Sequence, residues 1–364
     1  MTRLQRLFSD QGQSPWLDGL ERSGLRSGQL RRMVAEGIRG LATNMAGSAH
    51  ALGRSTAYDA QIASLLGRGL GAEDIYWELL VQDVSEALAA LRPIYDRSEG
   101  EDGFVSVKIS PTLAQDEEGT VITARFLQQQ IGEPNLSIKI PATDAGVLAL
   151  REMTSEGRNV TVTAIFSLRR YQQVVEAYLS GLETCPGDLS GVHSVASLSL
   201  SQVDAEVNGS LFARRGPGVP QLQGRVAVAQ ARLAYRAFCD RFSGPRWETL
   251  AARGANPQRL AWASTHTPDL TYPGTFYLES LIGPGTVTTM DPATAAAFEQ
   301  HGTVAQTIDQ DIEGAATVLA SLEDAGLDMG RVGRKLEDQH VANAARAYKA
   351  AIAAVGTKVA QLSD

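Results

Sequence analysis

Branched apolar residues alternate with polar ones through Leu136-Ser137-Ile138-Lys139-Ile140. Leu136, Ile138 and Ile140 therefore share one face of a strand, and Ser137 and Lys139 the other. Pro141 has no ladder N–H to give and ends the run. Thr143 then suits a helix N-cap, and Val147, Leu148 and Leu150 open an apolar helical face. The same strand-then-helix unit recurs along the chain. Trp16-Leu17-Asp18 reads as a first strand, followed by a helix over about 27–36 with Leu30, Met33 and Val34 on one stripe. Ile38 to Asn44 is the second strand, helices fill about 57–97, and Val105 to Ser110 alternates as the third. A helix over about 117–131 leads to the Lys139 strand, the fourth. Strands five to eight run from Val160 to Phe166, His193 to Leu200, Leu260 to Ser264 and Thr286 to Thr289. A helix through Tyr171, Val174, Val175 and Leu179 follows the fifth, and 203–242 is helical with a loop near Gly216-Pro217-Gly218.

Eight strands alternating with helices predict an α/β fold, a single (β/α)8 barrel over residues 1–364 rather than two domains. The remaining stretch, 303–362, reads as a helical C-terminal extension packed on the barrel, and its charges predict that it wraps the outside. In such a barrel, side chains at the carboxyl ends of strands reach the mouth. Lys139 stands there. A lysine that merely guards a strand edge is the plain alternative, but its branched neighbours suit a strand covered on both sides. A buried amine is costly unless neutralised or used, which favours a functional lysine. Alternation also puts Lys108, and either Thr161 or Thr163, on non-aliphatic faces near strand ends. Asp18, Asn44, Ser197 and Ser264 hold comparable positions on other strands, although ordinary strand-end polarity accounts for any one of them equally well. His266, past the seventh strand, either moves protons or is a loop residue, and Arg169 and Arg170 either meet an anion or begin a solvated helix.

Composition narrows the picture. At 43% hydrophobic the chain can bury a large core, and a net charge of −8 without a basic tract argues against nucleic-acid binding. No apolar run is long enough to cross a bilayer, and MTRLQRLFSD lacks the apolar centre of a signal peptide. Cys185 and Cys239 are too few for a disulfide framework, so reduced thiols in a soluble cytoplasmic protein are expected. The five histidines show no metal spacing, and there is neither a Walker lysine nor a Gly-x-Ser-x-Gly elbow. Gly67-Arg68-Gly69-Leu70-Gly71 follows a helix rather than a strand, and so reads as a loop, not a dinucleotide fingerprint.

From Trp16 to about Met290 the chain resembles the transaldolase family, in its longer actinobacterial form. The matching blocks are Gly40-Leu41-Ala42-Thr43-Asn44, Ile138-Lys139-Ile140-Pro141-Ala142-Thr143 with Gly146, Ile165-Phe166-Ser167, His193-Ser194-Val195-Ala196-Ser197, Trp262-Ala263-Ser264-Thr265 and Tyr272-Pro273. The resemblance implies a class I aldolase barrel that needs no metal or other cofactor. Lys139 matches the lysine that forms a Schiff base with a ketose, whose iminium serves as an electron sink. Asp18 matches an acid/base aspartate, Asn44 an asparagine holding the dihydroxyacetone portion, Ser197 and Ser264 serines lining the substrate site, and Thr163 a threonine steadying the catalytic water.

Departures from the family pattern gather around that chemistry. Val105-Ser106-Val107-Lys108 has a lysine where the family has a glutamate, and Met45-Ala46-Gly47-Ser48 replaces Pro-Thr-Ile-Phe. Thr161 replaces an asparagine, Gln202 falls at the phosphate-binding arginine, Pro268 at a second basic residue, and His266 at a normally small position. The resulting expectation is a transferase making or breaking aldol-type C–C bonds on a small ketose- or aldose-like, non-phosphorylated or atypical substrate. It acts as a monomer or homodimer, with no nucleic-acid or membrane partner. An ordinary pentose-phosphate transaldolase (sedoheptulose 7-phosphate and glyceraldehyde 3-phosphate) and a silent barrel that only binds a ligand stay open beside it. Lys108 either acts on Lys139 or points to solvent at the barrel mouth and marks a decayed site. Two ammonium groups roughly 6 Å apart repel by about 3 kcal/mol at an effective dielectric near 20, which depresses their combined pKa values.

Overall fold

The computed structural model describes residues 1–19, 21–44, 51–212, 222–267 and 272–363. Its strands are β1 (Gln13–Asp18), β2 (Gly40–Ala42), β3 (Val105–Lys108), β4 (Leu136–Pro141), β5 (Val160–Ile165), β6 (Ser194–Ser199), β7 (Arg259–Ala263) and β8 (Thr286–Met290). They are hydrogen-bonded in chain order, each parallel to the next. β8 pairs back onto β1 from Gln13↔Thr286 to Leu17↔Met290, so the sheet closes into a (β/α)8 barrel.

The aliphatic faces point outward to the helices. Val105, Val107, Ile138, Ile140, Val160 and Val162 are buried in one continuous core with Leu150 and Met153 of helix Asp144–Ser155 and Val174 and Val175 of helix Leu168–Thr184. Each such side chain contributes about 1.5–3 kcal/mol by leaving water. A one-residue slip of a strand would forfeit its whole set, which is what pins the register. A second apolar layer, Trp16, Phe104, Val195, Ala261 and Val287, forms a separate cluster. The Trp16 indole lies where a Cβ on residue 40 would stand, so Gly40 is required there. Beside this layer the buried Asp102 carboxylate accepts from Trp16 Nε1 (3.1 Å), Ser14 Oγ (2.5 Å), Arg39 Nε (2.7 Å) and an Arg259 guanidinium nitrogen (3.2 Å).

Some boundaries differ from the sequence reading. β1 begins at Gln13, whose side-chain amide donates to the Leu281 carbonyl (2.8 Å) and to Thr286 Oγ1 (2.9 Å). β2 is only Gly40–Ala42, because the Ile38 N–H is still bonded to Met33 at the end of helix Gln29–Glu36 (2.9 Å). The helical stretch 57–97 divides into Thr56–Tyr58, Asp59–Leu66 and Ala72–Arg97, interrupted by the glycine-rich loop in which Gly69 has φ +81°. The loop near Gly216-Pro217-Gly218 lies outside the described residues.

The C-terminal stretch departs most. It is helical only from Ile312, as Ile312–Asp324 and the 35-residue helix Met329–Ser363. That last helix does not run along the outer ring. Its Gly333 sits against Ser167 just past β5, Glu337 pairs with Arg170, and His340 reaches Lys108 at the carboxyl end of β3. Farther on, Tyr348, Ala351 and Val355 pack with Ile62, Leu65, Ile75, Tyr76 and Leu79 as a separate core. Its first half thus crosses the mouth, where Val332 and Leu336 join the barrel's main core, and its second half is covered by other helices. Among the described residues no helix is long and apolar enough to cross a membrane.

Candidate active site

Strand register assembles the site. β3 and β4 pair with Lys108 opposite Lys139, and β4 and β5 with Lys139 opposite Thr161, so three polar side chains form one row. Both lysines are half-buried at the strand ends. Burial is the first cause that lowers each ammonium, since a charged amine loses hydration there. Lys108 is pushed down to about 8, with the charge of Lys139 as the second cause. The anticipated repulsion is therefore present but secondary to desolvation. The carboxylate of Asp18, at the end of β1, opposes the shift on both amines.

The other predicted residues divide into two groups. Thr161 is buried, with its hydroxyl 2.8 Å from that of Ser137. Thr163 and Ser197 are buried too, and the Thr163 carbonyl accepts from the Ala142 N–H (2.7 Å). Ser264 is half-buried with φ +55°, and its carbonyl accepts from the Ser201 N–H (3.2 Å) where the next helix starts. Asn44 is exposed and lines a cleft with Asp18, Gly19 and Pro292. Gln202, in the first turn of helix Ser201–Phe212, and His266, beyond β7, are exposed. Arg170 does meet anionic groups, but they are the protein's own: Asp144 (2.7 Å) and Glu337 (3.1 Å). Met45-Ala46-Gly47-Ser48 and Pro268 lie outside the described residues.

Two features escaped the sequence. Ala164 has φ +62° at a register shift between β5 and β6, a bulge directly after Thr163. Such a conformation costs a non-glycine residue about 1–2 kcal/mol. The second is His340, whose Nε2 lies 3.4 Å from Lys108 Nζ and whose ring centroid is 6.0 Å from that of Phe166. Burial, followed by the charges of Lys108 and Lys139, pushes its imidazole down to about 3. The only sequence signal was a lone histidine after Glu337-Asp338-Gln339 on an otherwise ordinary charged helix. Chemically, the cluster offers an amine able to be neutral, an adjoining ammonium able to donate a proton, and a carboxylate.

Residues 15–355 match the transaldolase/fructose-6-phosphate aldolase family. "Transaldolase 1" of Streptomyces avermitilis is 40% identical over 361 residues, covering 98% of this chain and 95% of its own. "Transaldolase" of Thermobifida fusca is 42% identical over 343 residues, 93% of each chain. "Transaldolase" of Thiobacillus denitrificans is 39% identical over 349 residues, 95% of this chain and 97% of its own.

Proposed function

The chain belongs to the transaldolase/fructose-6-phosphate aldolase family, and we propose that it is a Schiff-base transferase whose nucleophile is Lys139. The observation that carries this reading is the in-register pair Lys108↔Lys139, both amines lowered by burial, under the field of Asp18. Neutral Lys139 attacks the C2 carbonyl of a ketose to give a carbinolamine. The Lys108 ammonium gives its proton to the C2 hydroxyl, which leaves as water, while the nitrogen lone pair closes the C=N bond. One positive charge thus passes from Lys108 to the iminium, and the pair never has to hold two. Asp18 takes the proton of the C4 hydroxyl, the C3–C4 electrons flow into the iminium, and an aldehyde departs. The resulting enamine adds to an acceptor aldehyde, Asp18 returns the proton, and hydrolysis frees Lys139.

On the same reading, the favoured ketose lacks the terminal phosphate. The family's cation is the uncharged, exposed Gln202 here, and Pro268 stands at the second such position. Two lost charge-assisted contacts, each about 1.5–3 kcal/mol, weaken phosphate binding by orders of magnitude. About 40% identity to proteins named transaldolase supports an ordinary phosphosugar enzyme equally.

Borohydride trapping with fructose and with fructose 6-phosphate, read by intact mass and peptide mapping, tests both parts. The expected result is an adduct on Lys139, lost in Lys139→Ala and formed at lower concentration with fructose. No adduct with either sugar removes the Schiff-base reading and favours a silent barrel, whereas preference for the phosphate points to ordinary transaldolase.

A further inference from the structure

We propose that His340 is the positioning residue for Lys108: its Nε2 accepts a hydrogen bond from the Lys108 ammonium and aims that ammonium at the carbinolamine formed on Lys139. The inference rests on the Schiff-base reading above and adds to it a part of the site contributed by the last helix.

An ammonium has three donors and no acceptor, and one half-buried beside a second amine needs acceptors to stay charged. Asp18, at the end of β1 two strands away, supplies a field. His340 supplies a lone pair within 3.4 Å. It can accept only while its ring is neutral with the proton on Nδ1. The surroundings ensure this. Lys108 on β3 and Lys139 on β4 both repel an imidazolium, and the Phe166 ring past β5 offers it no charge. On its own helix, Glu337 is already engaged by Arg170, which also holds Asp144, and Asp338 is exposed. Burial and the two lysine charges all oppose an imidazolium, so the shared proton stays on Lys108. His340 is therefore an acceptor that orients an acid and is not itself the base. Lys108, poised near neutrality, has the pKa an acid needs to donate and then be recharged.

Seating of the helix decides whether that acceptor is present. Arg170–Glu337 (3.1 Å), Lys335–Glu206 (2.6 Å) and the close approach of Gly333 to Ser167 hold it. The acid's orientation thus depends on a segment 232 residues away in sequence.

The test measures the rate of borohydride-trapped adduct formation on Lys139 of the full chain with fructose, from pH 5 to 10. It compares the parent with His340→Phe, His340→Gln and His340→Glu. In the parent, the rate falls on the alkaline side near pH 8 as Lys108 loses its proton. Phenylalanine removes the acceptor and moves that limb about one unit toward acid, slowing the reaction about fivefold at pH 8 and about tenfold well above it. Glutamine keeps an acceptor oxygen and leaves the limb near its parental position. Glutamate adds a charge and moves the limb about one unit toward alkali, so a sign is read even if the phenylalanine variant does not fold. A limb that stays fixed in the phenylalanine and glutamate variants, or that moves equally in all three, overturns the proposal. Absence of any parental adduct overturns the Schiff-base reading as well, and so separates the two failures.

Discussion

Lys108 works against the stability of the protein that carries it. Its amine has an ordinary value near 10.5 and is pushed down to about 8 in the fold, chiefly by burial and then by Lys139. Between those values the unfolded chain binds more protons than the folded one, so this contribution to stability is present above about pH 10.5. It is lost as the pH falls through 8, and below that the full cost of housing the ammonium remains. Lys108→Met removes the cost while keeping an unbranched side chain of similar length. The variant should be more stable than the parent at pH 7 by up to about 3 kcal/mol, with the advantage gone at pH 10.5. Denaturant unfolding at both pH values reads this directly, and equal stabilities at pH 7 would show that Lys108 is comfortably solvated. The same variant should trap far less Lys139 adduct, since the proposed acid has been removed. Such an exchange of stability for activity is what a site with two adjoining amines requires.

The last helix is the element whose position matters most, and a single glycine sets how closely it approaches. At Gly333 a Cβ would stand 2.9 Å from Ser167 Cβ and 3.0 Å from its Oγ. Ser167 cannot simply turn away, because its hydroxyl accepts from the Arg170 N–H (3.2 Å) and caps helix Leu168–Thr184. Gly333→Val should therefore lift the helix, cost about 1–3 kcal/mol and slow adduct formation at every pH. Gly356→Ala on the same helix meets nothing within 4 Å and should stabilise by about 0.5–1 kcal/mol with activity unchanged. Thermal unfolding and trapping rates on the two variants check the contrast, which fails if the valine variant keeps parental activity. The physics behind these elements also explains what could be read in advance. A strand with one face buried announces itself with period two, so Lys108, Lys139 and either Thr161 or Thr163 are readable on the non-aliphatic faces, and the register places Thr161 beside Lys139. Helix Glu117–Ile131 was likewise legible to the residue, because Asp116 caps it and Gly132 ends it in a left-handed turn. The Ala164 bulge left no trace, since neither alanine nor its neighbours are residue types that favour φ +62°. Nor did the placement of the last helix, which is read as helical from its sequence and brings His340 to Lys108. An amphipathic pattern states that a stripe will be covered and does not state by what, and here the partners of its second half are helices elsewhere on the barrel.

Considered as a whole, the barrel keeps a neutral histidine at each end, and this determines how the molecule responds to acid. His193, just before β6, packs against Phe104 with ring centroids 5.1 Å apart and is pushed down to about 4, first by burial and then by the Arg259 guanidinium. His340, at the mouth, is pushed down to about 3. Both start from an ordinary value of 6.5, so between about pH 6.5 and 4 the unfolded chain takes up two protons that the folded one refuses. Stability is full above 6.5 and falls with acid, each histidine contributing a slope of up to about 1.4 kcal/mol per pH unit. Buried carboxyls act in the opposite sense. Asp83 and Asp204 are raised by burial, so the folded chain binds their protons more readily than the unfolded one and recovers some stability at the acid end. The total acid response is consequently a difference of opposing contributions, and only a comparison between variants isolates the histidines. His193→Gln with His340→Gln should be less dependent on pH than the parent between 6.5 and 4.5, by up to about 2.7 kcal/mol per unit for the pair, because glutamine does not titrate. The single variants should each remove about half, since the two rings lie at opposite ends of the barrel and share no partner, which is the condition for additivity. Urea unfolding of the four proteins at half-unit intervals of pH gives the slopes. If the double variant follows the parent's curve, these rings are protonated in the folded protein, and neither end of the barrel is as dry as its packing implies.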